Sequence, residues 1–197
     1  MEAIAHLRAA HGVSAADVAR VRVRTFAEVA GAFNLPAPQT IIDAQFALPY
    51  VIALELHDRS PAAGMDEKDI RDPRILATAR QVELVEDPAM TAAFEDTGEM
   101  PAEVEVQTVD GRAYRRRVGV PKGDPARPLG TDEIERKARL LIEPVAGGAK
   151  AHAFIQRIRD LERHGAADLL PPLFDGDGAA PPVARGWRLG EPTPMGS

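Results

Sequence analysis

The alternation and cycling of apolar positions along this chain predict a mixture of helices and strands. Residues 2–11 fit a short helix: Ile4 and Leu7 share a face with Ala3 and Ala10, and Gly12 stands where a left-handed residue stops a helix. After a turn around Ser14, Val18–Thr25 alternates, with Val21 and Val23 on one side and Arg20, Arg22 and Arg24 on the other. That is the pattern of a strand with one wet face. Pro36 and Pro38 make 31–39 a connection.

Residues 41–56 are almost continuously apolar, through Ile41, Ile42, Phe46, Leu48, Val51, Ile52, Leu54 and Leu56. A helix apolar all round is buried on most sides. Thr40 is placed to cap it, Asp43 to support its first turn, and Pro49 to kink it. Asp72-Pro73 predicts a second helix start, running to about Arg80 and into a strand at Val82–Glu86.

A hairpin follows, with its turn at Val109-Asp110-Gly111 and its return strand over 112–120. A two-residue turn would set Val106 opposite Arg115. A three-residue loop with Gly111 left-handed sets Glu105 opposite Arg115, Glu103 opposite Arg117 and Val106 opposite Tyr114, and this register is preferred. The loop 121–130 is dense in turn formers. Two helices come next, one capped by Thr131 and carrying Ile134, Ala138 and Leu141, the other over 149–164 with Phe154, Ile155, Ile158 and Leu161. From Pro171 the chain is rich in Pro and Gly around a lone Trp187. The pattern of helices and antiparallel-type strands without regular βα alternation gives an α+β organisation, with an antiparallel sheet and packed helices over 1–130, two further helices over 131–170 and a Pro/Gly-rich tail over 171–197.

Composition narrows the function classes. Apolar residues at 45% and charged residues at 27% of 197 fit a soluble globular chain. With aromatics at 5%, the core must come mainly from Ala, Val, Leu and Ile. A net charge of -6 argues against a nucleic-acid partner. The absence of cysteine excludes disulfides, thiol catalysis and thiolate metal sites. The start Met-Glu-Ala-Ile-Ala-His has neither the basic start nor the apolar run of a secretory signal, and no apolar stretch approaches the ~20 residues that span a bilayer. The expectation is a cytoplasmic protein with no membrane partner.

Four stretches, in order, resemble the C-terminal half of MmgE/PrpD proteins. They are Glu2-Ala-Ile-Ala-His-Leu-Arg with Asp17-Val-Ala-Arg-Val-Arg-Val, then Asp43-Ala-Gln-Phe-Ala-Leu-Pro-Tyr50, then Asp72-Pro-Arg-Ile-Leu with Glu86-Asp-Pro, and last Val109-Asp-Gly-Arg-Ala-Tyr followed by Pro121-Lys-Gly-Asp-Pro-Ala-Arg-Pro-Leu and a helix with Glu135 and Lys137. The resemblance implies a small α+β lid whose closing helices return to a large helical domain. It also implies proton removal next to a carboxylate on a small polycarboxylate, by dehydration, decarboxylation or epimerisation, with no metal or organic cofactor. Such chemistry needs a base, cations for the carboxylates and developing enolate-like charge, and an acid.

Of the residues that line the family's active site, the resemblance carries over only Tyr50, the tyrosine of the Leu-Pro-Tyr motif. Ala47 stands where the family usually has a small hydroxyl residue. The family's His, Asp and Lys/His-bearing elements precede the matched region. Tyr50 either donates a proton or hydrogen bond to substrate or is a core tyrosine bonded to a backbone carbonyl; both readings stand at this point. Lys122, in its Gly/Pro loop, either reaches a substrate carboxylate or is a solvated lysine. Arg115–Arg117 reads mainly as hairpin surface paired with Glu103 and Glu105. The five histidines show no metal-ligand spacing.

The expected function is the lid subunit of a split MmgE/PrpD-type lyase or isomerase, with a separate helical-domain subunit as partner. Two alternatives compete with it. One is a non-catalytic binding or regulatory remnant of the same fold; the other is a lid cut from a longer chain.

Overall fold

A computed structural model describes residues 1–59, 65 and 67–163; the Pro/Gly tail with Trp187, His164 and the end of the last expected helix lie outside the described residues. Contacts divide the chain into two compact units, Met1–Gly130 and Thr131 onward.

In the first unit, helix α1 (Glu2–His11) ends at Gly12 with φ 65, whose N–H donates to the Arg8 carbonyl at 2.8 Å. A single 3-10 turn leads to β1 (Val18–Thr25). Helices α2 (Ala27–Ala32), α3 (Ile41–Gln45), α4 (Leu48–Leu56), α5 (Glu67–Ile70) and α6 (Pro73–Ala79) then separate β1 from β2 (Val82–Glu86). Helix α7 (Pro88–Thr97) and the hairpin β3 (Ala102–Thr108) and β4 (Ala113–Val118) complete the unit.

The strands form one sheet in the order β2-β1-β3-β4. β1, β3 and β4 are antiparallel neighbours, as expected from the sequence, while β2 joins β1 in parallel. The mixed sheet follows from the connection: the chain crosses through five helices between β1 and β2 and re-enters in the same direction. The hairpin adopts the preferred register, Glu105 opposite Arg115 and Val106 opposite Tyr114, around a three-residue loop with Gly111 at φ 86.

The sheet's inner face carries the first core. Val21, Val23, Val104 and Val106 pack with Ile4 and Leu7 of α1 and with Ile52 and Leu56 of α4. A register shift between Val18 and Arg20 turns Val18 to this same face. The outer face is a row of charges: Arg22 Nε donates to Glu83 at 3.1 Å, Arg22 faces Glu105, and Arg115 Nε donates to Glu105 at 3.0 Å. Arg115–Arg117 is hairpin surface, as the pairing with Glu103 and Glu105 predicts.

The stretch 41–56 is two helices rather than one kinked helix. Pro49 falls in the first turn of α4, where its missing N–H costs nothing. The break is held by the Leu48 N–H, which donates to the Phe33 carbonyl at 2.9 Å instead of into a continuing helix.

The second unit pairs α8 (Thr131–Ala146) with α9 (Gly148–Arg159). Glu135 and Arg159 form an ion pair between them, and among the described residues of this unit only Ala151 and Ile155 are buried. The apolar stripe of α8 stays open, with Ile134, Leu141 and Val145 exposed by 54%, 49% and 69%.

Candidate functional site

The Leu-Pro-Tyr motif sits where two cores meet. Of the nine residues of α4, seven are buried, so the helix is sandwiched on both sides as its composition predicts. Ile52 and Leu56 face the sheet; Tyr50, Ala53 and Leu54 face the other way, toward Ala44, Ala47, Ile70, Ile75 and Ala79 of α3–α6. Asp43, at the start of the motif, is committed to a capping box. Its Oδ2 accepts from the Thr40 N–H at 3.0 Å while Thr40 Oγ1 accepts from the Asp43 N–H at 3.1 Å.

Tyr50 has no exposed surface, and its hydroxyl has no hydrogen-bond partner among the described residues. The backbone carbonyl expected for a core tyrosine is absent. A buried hydroxyl left unpaired costs about 1–3 kcal/mol, so this atom is held at an energetic expense. Burial first, and the carboxylates of Asp69 and Asp72 second, push the phenol up to about 12. Tyr50 is therefore protonated at any working pH. It can donate a hydrogen bond or a proton; it cannot serve as a base.

Around it, Asp72 caps α6 through the Arg74 N–H at 2.9 Å and pairs with the Arg74 guanidinium at 2.7 Å. The Arg74 hydrogen bonds hold its carboxyl down at about 2. His57, two turns after Tyr50 at the end of α4, places Nε2 2.9 Å from Thr78 Oγ1. The Thr78 hydroxyl donates to the Arg74 carbonyl at 3.2 Å, so it accepts from His57 Nε2–H.

Lys122 lies in other surroundings, exposed on the 121–130 loop. Its backbone N–H donates to Glu2 Oε2 at 3.0 Å, and Arg127 Nη1 donates to the same oxygen at 2.9 Å and to the Val120 carbonyl at 3.0 Å. This tie pins the loop to the start of α1. Two recesses lined by described residues lie beside these elements. An apolar one of about 260 Å³, lined by Val23, Phe26, Leu48, Met100 and Val118 among others, carries no Lys, Arg or His side chain. A second, about 300 Å³, lies between α3 and α5 and shares Ile41 and Ile70 with the surroundings of Tyr50. It adds one cation, Arg71, faced by Glu67. Sequence reasoning missed Arg71, and the Asp72-Pro73 cap immediately after it was the one signal marking the place. Among the described residues no cluster of three or more His, Asp or Glu is arranged to hold a metal, and no helix is long and apolar enough to cross a membrane.

A four-stranded mixed sheet roofed on one face by α1 and α4, with the Leu-Pro-Tyr helix buried behind it, makes the fold of the first unit α+β. Residues 1–163 match the family model described as MmgE/PrpD C-terminal domain, and the chain belongs to that family. It is 30% identical over 135 residues to 2-methylcitrate dehydratase of Escherichia coli (strain K12), an alignment covering 57% of this chain and 27% of the relative. The chain thus matches about a quarter of that relative's length.

Proposed function

We propose that this chain is the lid of an MmgE/PrpD-type lyase or isomerase whose helical domain is a separate subunit. The observation that carries the proposal is the open stripe of α8: Ile134, Leu141 and Val145 form an apolar face that a helical partner would cover. A small polycarboxylate needs several positive groups, and in this proposal the partner subunit supplies most of them, together with the base.

In the assembled site the base removes a proton next to a carboxylate, and negative charge builds on that carboxylate's oxygens. Tyr50, held protonated, donates to this charge or to the departing group. The product class, whether dehydrated, decarboxylated or epimerised, depends on what leaves and on where the proton returns.

The test is Tyr50→Phe in the complex with the helical-domain protein, assayed with 2-methylcitrate as probe. Loss of an acid lowers turnover by roughly 10²-fold or more; unchanged turnover removes Tyr50 from the chemistry. A second reading, a non-catalytic binding or regulatory remnant, is favoured by one feature: the Tyr50 hydroxyl opens onto no solvent.

A further inference from the structure

The turn between β3 and β4 carries Asp110-Gly111, a pair with chemistry of its own. A glycine after an aspartate has no side chain to shield its nitrogen, so the Gly111 nitrogen stands ready to attack Asp110 Cγ. The attack closes a five-membered imide, and the carboxyl OH leaves with the amide proton as water. Water then adds back to the ring. Opening at the main-chain carbonyl leaves the chain running through the side-chain carboxyl. The product, isoaspartate, has the same mass and one more carbon in the backbone. Ring closure needs a protonated carboxyl and a free amide.

The folded turn opposes both requirements. The Gly111 N–H is engaged, donating to the Thr108 carbonyl at 3.0 Å. On the carboxylate, Oδ2 accepts from Arg112 Nε at 2.8 Å and pairs with Arg112 Nη2 at 2.6 Å. Oδ1 accepts from the Arg112 N–H at 3.3 Å and lies 2.5 Å from the buried Thr108 hydroxyl, which it shares with the Arg112 carbonyl. The Arg112 side chain first, and the Thr108 hydroxyl second, hold this carboxyl far below the ordinary carboxylate range. Packing adds no guard. Asp110 and Gly111 are exposed, and among the described residues nothing crowds the space beside Gly111.

We propose that Asp110 is a latent site of spontaneous isomerisation, and that Thr108 and Arg112 preserve its native linkage while the hairpin stays closed. The extra carbon lengthens the loop that sets Glu105 opposite Arg115 and Val106 opposite Tyr114, so the modification acts on the register of the sheet edge.

The test incubates the purified chain at mildly acidic pH, below its unfolding temperature, and follows isoaspartate at 110 by peptide mapping with mass spectrometry. A synthetic peptide of residues 109–115, too short to keep the hairpin, gives the unprotected rate. The native chain reacts at least about tenfold more slowly than the peptide, because several bonds to a charged group oppose the reaction. Thr108→Val and Arg112→Ala each accelerate it at least about fivefold, the change that one lost hydrogen bond produces. Thr108→Ser, which keeps the hydroxyl, restores protection. Ile52→Ala loosens the core away from the turn and stays within about twofold of the native chain. The proposal is overturned if the native chain reacts as fast as the peptide, or if either Thr108→Val or Arg112→Ala leaves the native rate unchanged. Equal acceleration by Ile52→Ala also overturns it, since general loosening would then account for the effect.

Discussion

The two faces of α4 are built on different rules. Toward the sheet, Ile52 and Leu56 meet a layer of valines, and the buried hydroxyls of the strands are paired: Thr25 Oγ1 donates to the Pro101 carbonyl at 3.1 Å and Thr108 Oγ1 to the Arg112 carbonyl at 3.0 Å. Toward α6, alanines together with Leu54, Ile70 and Ile75 surround a phenol whose hydroxyl has no partner among the described residues, with His57, Thr78 and Asp72 gathered at the margin. One face secures the helix; the other stores an unsatisfied group at a seam. A stable scaffold with a locally expensive polar atom is the usual division between parts that hold a site and parts that form one.

That contrast can be broken most forcefully from the sheet side. Ile52→Ala leaves a cavity among well-packed valines and is expected to cost roughly 2–5 kcal/mol in denaturant unfolding. A loss well below that range would mean the sheet face is no tighter than the Tyr50 face. On the opposite side, Tyr50→Phe removes an unpaired hydroxyl and keeps the ring, so the isolated chain should gain about 1 kcal/mol. A loss of similar size would reveal a hydrogen bond to that hydroxyl.

The same variant has a pH signature. The folded phenol sits at about 12 against an ordinary 10.0, raised by burial. A group whose folded value is raised contributes stability that is present below pH 10 and disappears as the pH climbs through 12. Tyr50→Phe should therefore flatten the alkaline limb of a stability-pH curve between those values. At the other end of the scale, Asp72 is depressed to about 2, chiefly by its Arg74 hydrogen bonds. Its contribution is complete above the ordinary carboxylate value of 3.8 and lost as the pH falls through about 2, so Asp72→Asn should reduce the acid dependence in that window. The smallest effect belongs to the outer charge row. Arg115→Ala removes an exposed pairing with Glu105 and should move Tm by no more than about 2 °C.

Much of the first unit was readable because its signals are local. Gly12, Thr40 with Asp43, and Asp72 with Pro73 each mark a helix end by backbone chemistry that needs no tertiary contact. The hairpin register follows from Gly111 and from pairing Glu105 with Arg115. Helix α7 escaped notice although Asp87-Pro88 repeats the Asp72-Pro73 signal and Gly98, at φ 73, supplies the stop. Helix α2 had no such local mark: its Ala27 N–H donates to Thr91 Oγ1 at 3.0 Å and Phe26, just before it, stacks on Phe94, both from a distant part of the chain. The parallel pairing of β2 with β1 is likewise a long-range choice that no window of sequence displays. Tyr50 was legible as a buried phenol. The fate of its hydroxyl was not, because that depends on which groups α6 brings within reach.

The proposed function requires a second chain to complete the site. The most direct measurement is the mass in solution, by light scattering after gel filtration, of the chain mixed with a helical-domain protein of the MmgE/PrpD family. The expected result is a stable complex that is lost when Leu141→Asp puts a charge into the open face of α8. A chain that elutes at its own mass beside every such partner, or a complex indifferent to that substitution, would contradict it.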